Sequence, residues 1–313
     1  SLHIHFRGLI RMPEKTVSLV LGSGGARGLA HIGVIHWLEE NGYEIKSISG
    51  ASIGALIGGI YACGELDAYE KWVRAITKVQ IVKLLDVSWG KQGLVDGDRI
   101  IDALKELVGD RDIEDLPIKY TAVASDVRRE KEIWLKSGSV FDAIRASISL
   151  PLFFTPFDLN GVKLLDGGIL NPVPIAPTFE DHTDTTIAVN LGAAPAGSKP
   201  LATKTLADDG NDSAVGRLRE KINSFIDERI SLSSPASDDD WTMLDIADQT
   251  FDAMQGTIAR QKLASYRPDH TIKIARDACG TLEFDRADEM IALGYEAAAR
   301  SLGSQELAAH PDS

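Results

Sequence analysis

The residues best suited to chemistry are Gly50-Ala51-Ser52-Ile53-Gly54, a G-x-S-x-G pentapeptide. Flanking glycines let a strand-to-helix turn take strained backbone angles, so that the serine oxygen projects from the turn. The amides of a following helix favour negative charge developing at that position. The bare pattern is common in ordinary Gly/Ser turns. Its weight comes from context: the apolar stretch Ile45 to Ser49 precedes it, and a small-residue helix to about Cys63 follows.

A second glycine-rich loop, Gly22-Ser23-Gly24-Gly25-Ala26-Arg27-Gly28, follows the β-branched run Thr16 to Leu21. Main-chain N–H groups converging in such a loop hold a phosphate or a tetrahedral oxyanion. As a dinucleotide fingerprint it fails, because Arg27 stands where the third glycine belongs and no acidic residue ends the next strand. As a P-loop it fails for lack of G-x-x-x-x-G-K-[ST].

A serine nucleophile needs a base. Of the seven histidines, His3, His5 and His310 lie near the termini. His31 and His36 read as ordinary residues of the first helix, and His182 and His270 sit just before strands without a signature around them. Asp166-Gly167-Gly168 does stand out, because it ends the apolar strand Val162 to Leu165. A turn is the usual meaning of such a tripeptide.

The elements that must position these residues alternate as strand, loop, helix, strand, turn and helix, which predicts a parallel α/β sheet. Strands are expected at 16–21, 45–49, 119–124, 132–135, 162–165, 186–191 and 271–274. Helices are expected at 29–40, 53–63, 65–77, 97–108, 140–147, 244–263 and 286–302. Residues 14–196 are expected to form a catalytic core, completed by residues 241–303. Residues 1–13 read as a tag or disordered extension and 304–313 as a frayed tail. Residues 197–240 form a polar insertion. Within it, Val215, Leu218, Ile222, Phe225, Ile226 and Ile230 fall on one helical face. That face packs on its own domain, closes over the site or joins a second copy of the chain.

A net charge of −13 argues against nucleic-acid binding, since no Lys/Arg cluster with interleaved aromatics offsets it. The two cysteines, Cys63 and Cys279, have neither zinc-site nor disulfide spacing and read as buried apolar residues. They fit a cytoplasmic protein. No apolar run is long enough to cross a bilayer, which leaves peripheral membrane contact as an expectation. No metal or cofactor is expected. The acidic stretches Asp208-Asp209 and Asp238-Asp239-Asp240 read as solvated loop charge.

The three motifs, in this order, resemble the patatin-like phospholipase family, in its bacterial branch related to neuropathy target esterase. Gly93-Leu94-Val95-Asp96-Gly97 and Ala146-Ser147-Ile148-Ser149-Leu150-Pro151 agree with it. The likeness covers about Val17 to Leu191, and Phe251 to Leu302 more loosely. It implies a three-layer α/β/α fold with a mainly parallel central sheet, and a serine acyl hydrolase acting on lipid esters without histidine. It makes Ser52 the nucleophile and Asp166 the base. It assigns oxyanion N–H groups to Gly24, Gly25 and Ile53, with Gly22, Arg27 and Gly28 supporting the loop. Gly50, Gly54, Gly167 and Gly168 complete the motifs. Ser23 departs from the family, where many members have glycine. The apolar run from Leu150 to Phe157 makes Leu152, Phe153 and Phe154 candidates for an acyl wall, with core packing as the alternative. Two other readings stay open. One is a Ser-Asp-His hydrolase using His182 or His270. The other is an anion- or lipid-binding regulator without turnover.

Overall fold

The computed structural model describes residues 15–77, 80–81, 97–194 and 243–303. The expected extension at 1–13, the insertion at 197–240 with its Val215–Ile230 face and acidic stretches, and the tail at 304–313 lie outside the described residues. So do Gly93 to Asp96.

Apolar, β-branched segments build the sheet. Strands β1 (Lys15–Leu21), β2 (Tyr43–Ala51), β3 (Lys119–Asp126), β7 (Thr185–Ala193) and β8 (His270–Ala275) all run parallel to one another. β4 (Lys131–Leu135) and β6 (Val162–Asp166) run antiparallel to β3, and β5 (Phe157–Leu159) runs antiparallel to β6. The hydrogen-bonded path is β5-β6-β3-β2-β1-β7-β8, with β4 also on β3. The sheet is thus parallel at its centre and antiparallel at one side.

Helices α1 (Ala30–Glu40), α2 (Ile53–Ala62), α3 (Leu66–Ala75), α4 (Asp98–Val108), α5 (Val140–Ser147) and α7 (Ala287–Ala298) supply the large core. Val17, Leu19 and Leu21 of β1 point into it. The alternate residue Val20 points the other way, into a small core with Ala188 and Ala259, the last from α6 (Met243–Tyr266). The period of two along β1 therefore separates two unequal apolar layers.

One register places the site. β4 pairs with β3 along residues 122–126, so it fills one edge of β3 there. β2 pairs with β3 up to Ala51–Val123, and β6 begins at Asp166–Ala124. Where each overlaps β4, it must take the opposite edge. β2 and β6 therefore approach head-on along the same edge of β3, and their C-terminal ends meet between Val123 and Ala124.

Candidate active site

Ser52 and Asp166 are the residues at those converging ends. Ser52 follows β2 with φ 55° and ψ −124°, a conformation costly for a non-glycine residue. Its N–H donates to Ser147 Oγ at 2.9 Å, and Ser147 Oγ donates to the Val123 carbonyl at 2.7 Å. Its carbonyl accepts from the N–H groups of Ala55 and Leu56 in the first turn of α2. The strained residue is fixed on both sides of its peptide. A side chain at Gly54 would run into the Leu21 carbonyl at 2.1 Å, so the turn has no room there.

Ser52 Oγ donates to Asp166 Oδ2 at 2.5 Å. Asp166 Oδ1 accepts from the Gly168 N–H at 2.7 Å. The carboxyl is 1% exposed. Burial pushes its pKa up to about 6, against the pull of the two hydrogen bonds. Gly167 allows the approach: a Cβ there would lie 1.9 Å from the Val123 carbonyl.

The first glycine loop lies beside the elbow. A Cβ on Gly28 would lie 2.2 Å from the Ile53 side chain. Gly22 and Ser23 donate to the carbonyls of Val189 and Pro172, and Ala26 donates to that of Thr281. Between them, the N–H groups of Gly24 and Gly25 bond to no described residue. Gly25 has φ 58°, which glycine tolerates. Arg27 is 3% exposed, and all three of its guanidinium nitrogens donate. It donates to the Gly24 carbonyl at 2.9 Å, to the Arg276 carbonyl at 2.8 Å and, through both terminal nitrogens, to Asp252. These bonds brace the loop, the supporting role expected of Arg27.

The histidines are elsewhere. His31 is buried and donates Nε2–H to the Gly22 carbonyl at 2.9 Å, and burial lowers its pKa to about 4. His36 meets Glu70 at 2.5 Å. His182 lies next to Asp181, which binds Lys119 at the start of β3, the end of the sheet opposite Ser52. His270 opens β8, three strand steps from β2, or roughly 14 Å at the usual strand spacing. Among the described residues, no cluster of His, Cys, Asp or Glu could hold a metal ion. Cys63 and Cys279 are free and buried.

An apolar cavity of about 130 Å³ opens at Ser52. Phe154 lines it, but Leu152 and Phe153 do not. The chain turns at 151–153 with Leu152 at φ 69°, which leaves that side chain 61% exposed. The walls come instead from Ile53 and Leu56 of α2, from the inner faces of α3 and α4, and from Ile148 and Leu150. Sequence reading passed over Ser147, although the run Ala146 to Pro151 was singled out as a motif. It also passed over α3, whose apolar face has the same spacing as any core helix.

A hydroxyl held by a buried carboxylate, beside two unengaged amides and an apolar cavity, defines a site suited to acyl esters. A family model described as patatin-like phospholipase matches residues 19–179. An uncharacterized NTE family protein of Mycobacterium tuberculosis is 36% identical over 332 residues, covering 93% of this chain and 92% of its own. The chain therefore belongs to the patatin-like phospholipase family. Patatin-like phospholipase domain-containing protein 6 of Homo sapiens is 32% identical over 199 residues, covering 61% of this chain and 14% of that protein. Lysophospholipase NTE1 of Saccharomyces cerevisiae is 30% identical over 205 residues, covering 62% of this chain and 12% of its own length. These relatives support a lipid hydrolase.

Proposed function

We propose that the chain hydrolyses lipid acyl esters, phospholipids or lysophospholipids, through an acyl-enzyme on Ser52 with Asp166 as sole general base. The observation that carries this is the 2.5 Å bond from Ser52 Oγ to Asp166 Oδ2. As Oγ attacks the ester carbonyl carbon, its proton passes to Asp166. The carbonyl oxygen becomes an oxyanion, held by the N–H groups of Gly24 and Gly25 and of Ile53 at the start of α2. Collapse of the tetrahedral intermediate expels the alcohol, which takes the proton from Asp166. Water then repeats the sequence on the acyl-enzyme, giving a fatty acid and free Ser52. The raised pKa of Asp166 makes it a stronger base than an exposed carboxylate.

The test is fluorophosphonate labelling together with lysophospholipid turnover. The wild type is expected to label and turn over, Ser52→Ala to do neither, and Asp166→Asn to lose turnover. A wild type that binds lipid without labelling would instead be an anion- or lipid-binding module. The same apolar cavity supports a peripheral approach to lipid surfaces. No described helix is long and apolar enough to cross a membrane.

A further inference from the structure

The cavity beside Ser52 is lined almost throughout by hydrocarbon; besides Ser52 itself, Tyr69, Trp72 and Thr281 carry polar atoms, and the Thr281 hydroxyl already donates to Asp248. Helix α3 presents Tyr69, Trp72 and Val73 to it, at the i, i+3, i+4 spacing of one helical face, and Ile76 follows just past its C-terminal end. Tyr69 is 3% exposed. Its hydroxyl bonds to no described residue. Nor is it among the sealed, unpartnered polar atoms of the interior. The open space this side chain borders is the cavity.

A buried phenol normally finds a partner. The fold provides one for Tyr120, which donates to the Ala55 carbonyl at 2.7 Å. Phenylalanine would fill the position of Tyr69 with no desolvated oxygen. The hydroxyl is thus a cost to the empty cavity and a gain only when something polar enters.

Resting on the hydrolase reading above, we propose that Tyr69 is a specificity-determining residue. Its hydroxyl receives an oxygen function carried along the acyl chain, so that the cavity selects hydroxy- or oxo-acyl esters over unsubstituted ones of equal length. The phenol can donate to a ketone or exchange donor and acceptor roles with an alcohol, so both substituents fit.

The experiment uses the full chain and p-nitrophenyl esters of one chain length: the unsubstituted acyl ester and its monohydroxy isomers, with the hydroxyl walked from the carbonyl toward the methyl end. In the wild type, kcat/KM is expected to peak at one position or two adjacent ones, about tenfold above the other isomers. Tyr69→Phe is expected to flatten that peak, so that the favoured isomer falls about tenfold to the level of its neighbours. A flat wild-type series overturns the proposal whatever the variant does. A variant that slows every ester alike overturns it too, because that is the mark of a structural residue. A wild type inert toward every ester would instead sink the hydrolase reading itself.

Discussion

The main-chain N–H of Ser52 donates to the hydroxyl of Ser147, ninety-five residues away in sequence. Ser147 in turn donates to the Val123 carbonyl, in the stretch of β3 where β2 and β6 converge. A single buried hydroxyl thus anchors the strained turn to the strand that aligns both reactive residues.

Ser147→Ala removes that anchor without adding bulk. The Ser52 N–H and the Val123 carbonyl both lose a partner, so the variant should be about 1–3 kcal/mol less stable. The rate of fluorophosphonate labelling should fall while KM changes little, because the cavity walls are untouched. Labelling at the wild-type rate would show that the turn holds itself.

The activity–pH profile should carry one acid limb. Asp166 must be ionised to accept a proton, and its pKa is about 6. The rate should therefore fall as pH drops through about 6 and stay level above it. His182→Ala and His270→Ala should reproduce the wild-type limb. A limb that vanished in either variant would assign the base to histidine.

Asp166 also links pH to stability. Its folded value of about 6 lies above the ordinary 3.8. The protonated carboxyl therefore favours the fold; that contribution is complete below the unfolded value and is lost as pH rises through the folded one. Asp166→Asn has no such titration. Its stability relative to wild type should rise by about 1.4 kcal/mol between about pH 5 and about pH 8, measured by urea denaturation. A pH-independent difference would mean that the buried carboxyl titrates normally.

Arg27→Lys should not substitute for the native residue. The guanidinium reaches two carbonyls and both oxygens of Asp252 at once. An ammonium cannot match that fork. Asp252 is 27% exposed and keeps some hydration, so the loss should be near 1–3 kcal/mol. The glycine loop would loosen with it, and kcat should fall more than KM rises.

Chain-length preference separates the apolar run into two parts. Phe154→Ala enlarges the cavity wall and should shift preference toward longer acyl chains. Leu152→Ala acts on an exposed side chain and should leave it unchanged. Equal effects from both would move the acyl site away from the cavity.

What the sequence made legible was local. β1, α1, β2 and α2 follow from hydrophobic period and glycine placement over short windows, and Ser52, Asp166 and the glycine loop were readable as motifs. β5 escaped notice because Phe157-Asp158-Leu159 is too short to show a period. The direction of β6 was also hidden, since an apolar strand reads alike either way and only pairing with β3 decides it. The acyl wall was sought at Leu152 to Phe154 because consecutive apolar residues attract the eye. The cavity at Ser52 shares Phe154 with that run, but its lining at Tyr69, Trp72 and Leu104 has the pattern of helical core, and a cavity wall differs from a core only in what lies opposite.

β6 joins β3 through two residue pairs, Ala124 with Asp166 and Ser125 with Leu165. The elbow, by contrast, ends a strand paired along much of its length on both sides. A chain still emerging from the ribosome could display Ser52 before residue 166 exists, and the hairpin could fray while the parallel strands stay paired. In either state the hydroxyl has no proton acceptor. On the proposed mechanism the protein is inert toward lipid esters until that hairpin is in place, which makes reactivity a report on the folding of this side of the sheet.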